Sequence, residues 1–297
     1  MPRKEELKHK IIDGKIISGL LVEKVSAGIS ELTKKDIKPT LAVVLIGDDP
    51  ASQVYVRNKK IMCEKVGIQS VEYKFGEDIK EKELLSLIDS LNRDKGINGI
   101  LVQFPIPPHI SKQKTINAIS PDKDVDGLHP INAGKLMNNI ECLTPCTPQG
   151  SMIMINSIAQ DTSGMNAVVL GRSNLVGKPM SQLLINANCT VTQVHSKTKD
   201  IQSFTSQADI LVAAIGIPNF VKSDWVKKDA IIIDVGINRV ASDQNATAKT
   251  KLVGDVDFED VFDRVSAITP VPGGVGLMTV ACLMNNTLIA TKAQHSL

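Results

Sequence analysis

Short apolar runs separated by amphipathic helical stretches recur from end to end of this 297-residue chain, and that alternation confines it to the α/β class with parallel sheets. In the first half, Leu41–Ile46, Ser70–Phe75 and Gly99–Gln103 read as strands. Residues 13–34, 50–66 and Lys80–Asn92 read as helices, and a further helix precedes Lys123. Pro105-Ile106-Pro107-Pro108 ends pairing after the third strand, since proline gives no ladder donor. A second series opens near Thr147, with helices over Gln149–Ala159 and Pro179–Asn188. Its strands are Asn166–Leu170, Thr190–His195, Ala208–Ile215, Ala230–Val235 and the short Ser266–Ile268. Residues 242–250 read as a polar surface loop, and Leu277–Lys292 as a closing helix. Two such series match two domains at ~100–200 residues each.

Composition removes several classes of function. The net charge is +2 with both signs interspersed, and aromatics are only 3%, so neither a strong field nor a stacking platform invites nucleic acid. The five cysteines are odd in number and scattered, which favours a reducing, cytoplasmic setting over a disulfide framework. Cys142 and Cys146 lie downstream of His129, but no second pair follows at ligand spacing, so no metal is expected. The start Met1-Pro2-Arg3-Lys4-Glu5-Glu6 is charged rather than apolar, unlike a signal peptide. No apolar run approaches the ~20 residues of a membrane span.

Lys59 stands out within the helix over 50–66, which has Asp49 as its N-cap, Pro50 in its first turn and Gly67 as its stop. At about 3.6 residues per turn, Tyr55, Lys59, Met62 and Val66 share a stripe in which three members favour burial. The ammonium is therefore either drawn out to solvent or aimed into a cleft, where a lowered pKa suits general acid/base work. Gln103 at the end of the third strand and Asp126 in the polar segment 123–127 lie where α/β sheets bind ligands. With Tyr55 as a stacking face, these groups suit a flat, nitrogen-rich ring. Each also has an ordinary reading, as core filler, strand-end solvation or turn residue.

In the second series, strand 166–170 runs into Gly171-Arg172-Ser173, with Gly177 opening the next helix. A strand, glycine turn and helix set phosphate against helix-terminal N–H groups, although the usual G-x-G-x-x-G is absent. No acid occurs between Gly171 and Lys199, whereas Arg172, Ser196 and Lys197 offer positive charge and a hydroxyl. That set favours NADP over NAD, the alternative being solvated surface cations.

Taken together, Tyr55-Val56-Arg57-Asn58-Lys59, Val102-Gln103-Phe104-Pro105, Lys123-Asp124-Val125-Asp126-Gly127 and Ile131-Asn132-Ala133-Gly134 resemble the methylenetetrahydrofolate dehydrogenase/methenyltetrahydrofolate cyclohydrolase family. So do Pro145-Cys146-Thr147-Pro148, Gly171-Arg172-Ser173, His195-Ser196-Lys197-Thr198, Asp234-Val235-Gly236-Ile237-Asn238 and Pro270-Val271-Pro272-Gly273-Gly274-Val275-Gly276. The resemblance implies a folate-binding catalytic domain over 1–146, completed by residues 277–297. It also implies an NADP-binding, Rossmann-like doubly wound domain over 147–276, with the active-site cleft between the two. It makes Lys59 the catalytic lysine, assisted by Gln103, with Tyr55 stacking on the substrate. Asp126 would hold the pterin, with Gly276 and Thr279 near the folate. Gly171, Arg172, Ser173, Ser196 and Ile237 would contact NADP. A homodimer joined through nucleotide domains, one-carbon metabolism and supply of purine biosynthesis follow from the same resemblance. One departure is Leu277, where the family usually has proline, and it predicts slightly looser geometry around Gly276 and Thr279. Three other readings are a dehydrogenase without the hydrolase, a non-catalytic NADP-binding redox sensor and a hydroxy-acid dehydrogenase, none of which needs Lys59, Gln103 and Asp126 together.

Overall fold

The structure is a computed structural model, and it describes residues 9–241 and 250–297. The charged start over 1–6 and residues 242–249 of the expected loop over 242–250 lie outside the described residues, and Thr250 begins a strand. Two compact units make up the chain.

One unit comprises Gly19–Cys146 and Val280–Leu297. The helix α1 (Gly14–Thr33) enters it, and β1 (Thr40–Ile46), α2 (Pro50–Val66), β2 (Gln69–Phe75), α3 (Glu81–Arg93) and β3 (Gly99–Val102) follow. The strands pair in parallel in the order β2-β1-β3. All seven residues of β1 are buried, as a central parallel strand covered on both faces requires of its unbroken apolar run. Ala42, Val44 and Ile46 pack against Leu84, Ile88 and Leu91 of α3 on one of those faces. Helices α4 (Lys112–Ala118) and α5 (Pro130–Met137) complete the unit. The second of these is not among the expected elements. It is short, and His129 caps it by accepting the Ile131 N–H through Nδ1.

The other unit comprises Thr147–Thr279 together with the segment ending at Ser18. Its elements are α6 (Cys146–Ile158), β4 (Asn166–Leu170), α7 (Gly177–Asn186), β5 (Thr190–Val194), α8 (Ile201–Thr205), β6 (Ile210–Ala213) and β7 (Ile231–Asp234). They continue through the antiparallel hairpin β8 (Asn238–Ala241) and β9 (Thr250–Val253), then α9 (Phe258–Val261), β10 (Ala267–Ile268) and the start of α10 (Val275–Gln294), whose residues from Val280 onward belong to the first unit. The five-stranded parallel sheet runs β10-β7-β6-β4-β5. Chain order reverses between β4 and β6, so their carboxyl ends form the switch point where doubly wound sheets take ligands.

The segment ending at Ser18 groups with Thr147–Thr279 through backbone hydrogen bonds. Ile12 donates its N–H to Ile268 O at 2.9 Å, and Gly14 donates to Gly273 O at 3.0 Å. These bonds tie residues 9–18 to the β10 edge. Among the described residues, no helix is long and apolar enough to cross a membrane.

Candidate active site

Helix α2 forms as its caps dictate. Asp49 accepts the Ser52 N–H at 2.7 Å, Pro50 opens the first turn, and Gly67 closes it with φ +86°. The buried stripe is Ser52, Val56, Cys63 and Val66, with Lys59 in the middle of it. This corrects the expected stripe, because Tyr55 lies one position outside and is 44% exposed. Core filling is therefore not the role of Tyr55. Burying each apolar neighbour contributes about 1.5–3 kcal/mol, which lets the helix carry one costly ammonium inward.

Lys59 Nζ donates to Gln103 Oε1 at 2.9 Å, and Gln103 Nε2 donates to Phe104 O at 2.8 Å. The second bond fixes the amide so that its oxygen faces the lysine. Strand pairing brings the two together: β1 feeds α2, β3 delivers Gln103, and Gln103 N bonds Val44 O of β1 at 2.9 Å. Burial pushes the Lys59 ammonium below the usual lysine range, opposed first by Asp126 and then by the thiols of Cys146 and Cys63. The neighbouring cations Arg57 and Lys60 are exposed.

Asp126 is raised by burial and drawn back down by Lys59 and Lys112. Its loop is held by its neighbours. Asp124 accepts from Leu128 N at 3.1 Å, His129 N at 2.8 Å and Asn132 Nδ2 at 3.0 Å, and burial raises it to about 6. Lys123 Nζ donates to the carbonyls of Leu91 and Asp94 at 3.0 and 2.7 Å. Asn286 Nδ2 bonds Val125 O at 2.9 Å and Thr144 O at 2.8 Å. Asp126 alone is left with a carboxylate that accepts no hydrogen bond from the described residues. Three side chains commit to structure; the fourth is available to a ligand.

In the other unit, Gly171 ends β4 with φ +123°, and a Cβ there would run into the Ala214 carbonyl at the end of β6. Ser173 Oγ accepts from Val176 N at 3.1 Å and Gly177 N at 3.4 Å, shaping the entry to α7. Arg172, Ser196 and Lys197 are exposed at the ends of the adjacent strands β4 and β5. Arg172 and Lys197 form no ion pair among the described residues. A glycine turn against bare backbone, two uncommitted cations and a hydroxyl fit a dinucleotide with an extra phosphate. Ile237 is 47% exposed and lines a pocket that includes Asp234, Leu252, Pro272, Gly276 and Leu277. Thr279 Oγ1 lies 3.0 Å from Thr147 Oγ1. Leu277 sits in the first turn of α10, donating to Gly274 O at 3.2 Å, so leucine accepts the helical conformation there.

Comparison with known proteins agrees with this division of labour. The catalytic-domain model of tetrahydrofolate dehydrogenase/cyclohydrolase matches residues 12–126, and the NAD(P)-binding-domain model matches residues 145–295. The chain belongs to the tetrahydrofolate dehydrogenase/cyclohydrolase family. Among members of this family, it is 53% identical over 289 residues to the bifunctional protein FolD of Parvibaculum lavamentivorans, covering 97% of each chain. The crystal structure of the bifunctional FolD enzyme from Campylobacter jejuni superposes with TM-score 0.91 at 46% identity, over 95% of this chain and 98% of that one. The Trypanosoma brucei dehydrogenase-cyclohydrolase, solved with NADP cofactor and an inhibitor, gives TM-score 0.91 at 34% identity, over 97% and 98%. Asp255, which accepts from Ile215 N, Gly216 N and Asn238 Nδ2 beside Ile237, is missed by the sequence reading; the paired Asp-Val-Gly at 234–236 and Gly-Asp-Val at 254–256 are a signal that could have found it.

Proposed function

We propose that this chain is a bifunctional enzyme that oxidises 5,10-methylenetetrahydrofolate with NADP⁺ and hydrolyses the resulting methenyl compound to 10-formyltetrahydrofolate. The observation that carries the hydrolytic half is the half-buried Lys59–Gln103 pair, its ammonium disfavoured by desolvation, beside an uncommitted Asp126. In this reading Tyr55 stacks on the substrate and Asp126 accepts N–H bonds from the pterin. Gly276 and Thr279 are further folate contacts. Gly171, Arg172, Ser173, Ser196 and Ile237 hold NADP, with Arg172 toward the extra phosphate. The chemistry that bound NADP⁺ supplies is acceptance of a hydride from the methylene carbon.

Lys59 serves the second reaction. Water adds to the cationic methenyl carbon, one carbon–nitrogen bond of the bridge opens, and one proton is released. With its pKa lowered, the Lys59 amine takes the proton from the adding water and returns it to the nitrogen that leaves. Gln103 holds that amine in place through its Oε1. A dehydrogenase lacking the hydrolase would have no use for this pairing.

The reading extends to a catalytic domain carrying Lys59 and a nucleotide domain carrying Gly171, to a homodimer joined through nucleotide domains, to a cytoplasmic setting and to supply of purine biosynthesis. Its test is to mix purified protein with methylenetetrahydrofolate and each nicotinamide cofactor, following reduced cofactor and methenyl product separately. Formation of both reduced NADP and 10-formyltetrahydrofolate supports it. Absence of either activity removes that half.

A further inference from the structure

Asp255 is fully buried, and its carboxylate reaches two loops at once. Oδ2 accepts from Ile215 N at 2.6 Å and Gly216 N at 3.0 Å, in the loop after β6. Oδ1 accepts from Asn238 Nδ2 at 2.9 Å, in the segment after β7 and next to Ile237. No basic side chain pairs with it among the described residues. A buried carboxylate answered only by hydrogen bonds is costly unless each oxygen is satisfied, and here each is.

The backbone carrying Asp255 is itself locked. Asp234, at the end of β7, accepts from Gly236 N at 3.0 Å, Asp255 N at 2.9 Å and Val256 N at 2.9 Å. Any side chain at Gly236 would overlap the Asp255 carboxylate, and one at Gly254 would overlap that of Asp234. The loop after β6 borders the Gly171 turn through Ala214, while Ile237 and Gly276 line the pocket beside the segment after β7.

We propose that Asp255 is a positioning residue of the cofactor site, a brace whose two oxygens tie the loop after β6 to the segment carrying Ile237 and Asn238. It touches neither substrate nor cofactor; it sets the spacing of the walls that do. The proposal rests on the NADP reading given above.

The test uses the full-length protein and NADPH, with binding followed by cofactor fluorescence. Asp255→Asn keeps the shape but turns an acceptor into a donor facing the Asn238 amide. NADPH affinity should fall about 10- to 100-fold, the loss expected when hydrogen bonds to a buried charge fail. Hydrolysis of methenyltetrahydrofolate without cofactor should stay within about twofold of wild type, because Lys59 and Gln103 are untouched. Combining Asp255→Asn with Asn238→Asp exchanges donor and acceptor and should restore most of the affinity. Should Asp255→Asn not fold, Asn238→Ala removes one donor alone and should weaken NADPH several-fold, about what one hydrogen bond supplies. Wild-type affinity in both single variants overturns the brace, as does an equal fall in binding and hydrolysis. Failure of the wild-type protein to bind NADPH instead removes the cofactor reading beneath it.

Discussion

Lys59 Nζ lies 2.9 Å from Gln103 Oε1, although 44 positions separate the two residues in sequence. Parallel pairing of β1 with β3 makes that distance possible, and the Gln103–Phe104 bond decides which end of the amide the lysine meets. A lysine whose charge is disfavoured by burial and steadied by one neutral acceptor gives up its proton more readily than a solvated lysine, which suits it to proton transfer.

Gln103→Ala should slow methenyl hydrolysis about 10- to 100-fold, since a hydrogen bond to a charged group contributes ~1.5–3 kcal/mol. Losing the acceptor also disfavours the ammonium further, so the limb of the pH–rate profile owed to Lys59 should move to lower pH. Initial rates of methenyl loss across pH measure both effects. An unchanged profile contradicts the pairing.

Lys112→Gln bears on Asp126. Lys59 and Lys112 both hold the Asp126 carboxyl down against burial, so removing one cation should raise it. If ionised Asp126 binds the pterin, activity is lost as pH falls through its pKa. The acid limb of kcat/KM for the folate substrate should therefore shift to higher pH in the variant. A shift in the opposite direction, or none, counts against this role.

Arg172→Ala should erode discrimination between cofactors. A cation meeting a phosphate is answered only when that phosphate is present, so KM should rise about tenfold for NADP and scarcely for NAD. Kinetics with the two cofactors in parallel give the ratio. Equal losses on both would assign Arg172 to the shared diphosphate instead.

Asp234 should leave a mark on stability. Burial, aided by the neighbouring Asp255 carboxylate and opposed by backbone donors, raises it from 3.8 to about 7. Between those values the folded chain keeps a proton that the unfolded chain has released. Stability from this group is therefore greatest below the lower value and is lost as pH rises through the window. Denaturant titrations of wild type and Asp234→Asn should show their difference shrinking by a few kcal/mol, at about 1.4 per pKa unit. Parallel pH profiles would contradict it.

Much of the fold was legible because buried parallel strands leave unbroken apolar runs: β1 and β4 came within a residue of their expected limits. Helix α2 was legible from Asp49, Pro50 and Gly67, which state its ends chemically. Helix α5 and the β8–β9 hairpin were not, since they are short and their residues are half exposed and weakly patterned. The sequence marked Lys59 as misplaced but put Tyr55 on the wrong face. A helical stripe read from apolarity alone overlooks small buried residues such as Ser52 and Cys63. Attachment of residues 9–18 to β10 depends on backbone hydrogen bonds across more than half the chain, which no local pattern encodes.

The most direct measurement compares the two activities in Lys59→Met. General acid/base catalysis is worth about 10²–10⁴-fold, so methenyl hydrolysis should drop by that order, whereas hydride transfer to NADP⁺ should retain a much larger share of its rate. A Lys59→Met protein that hydrolyses methenyltetrahydrofolate at the wild-type rate would contradict the account.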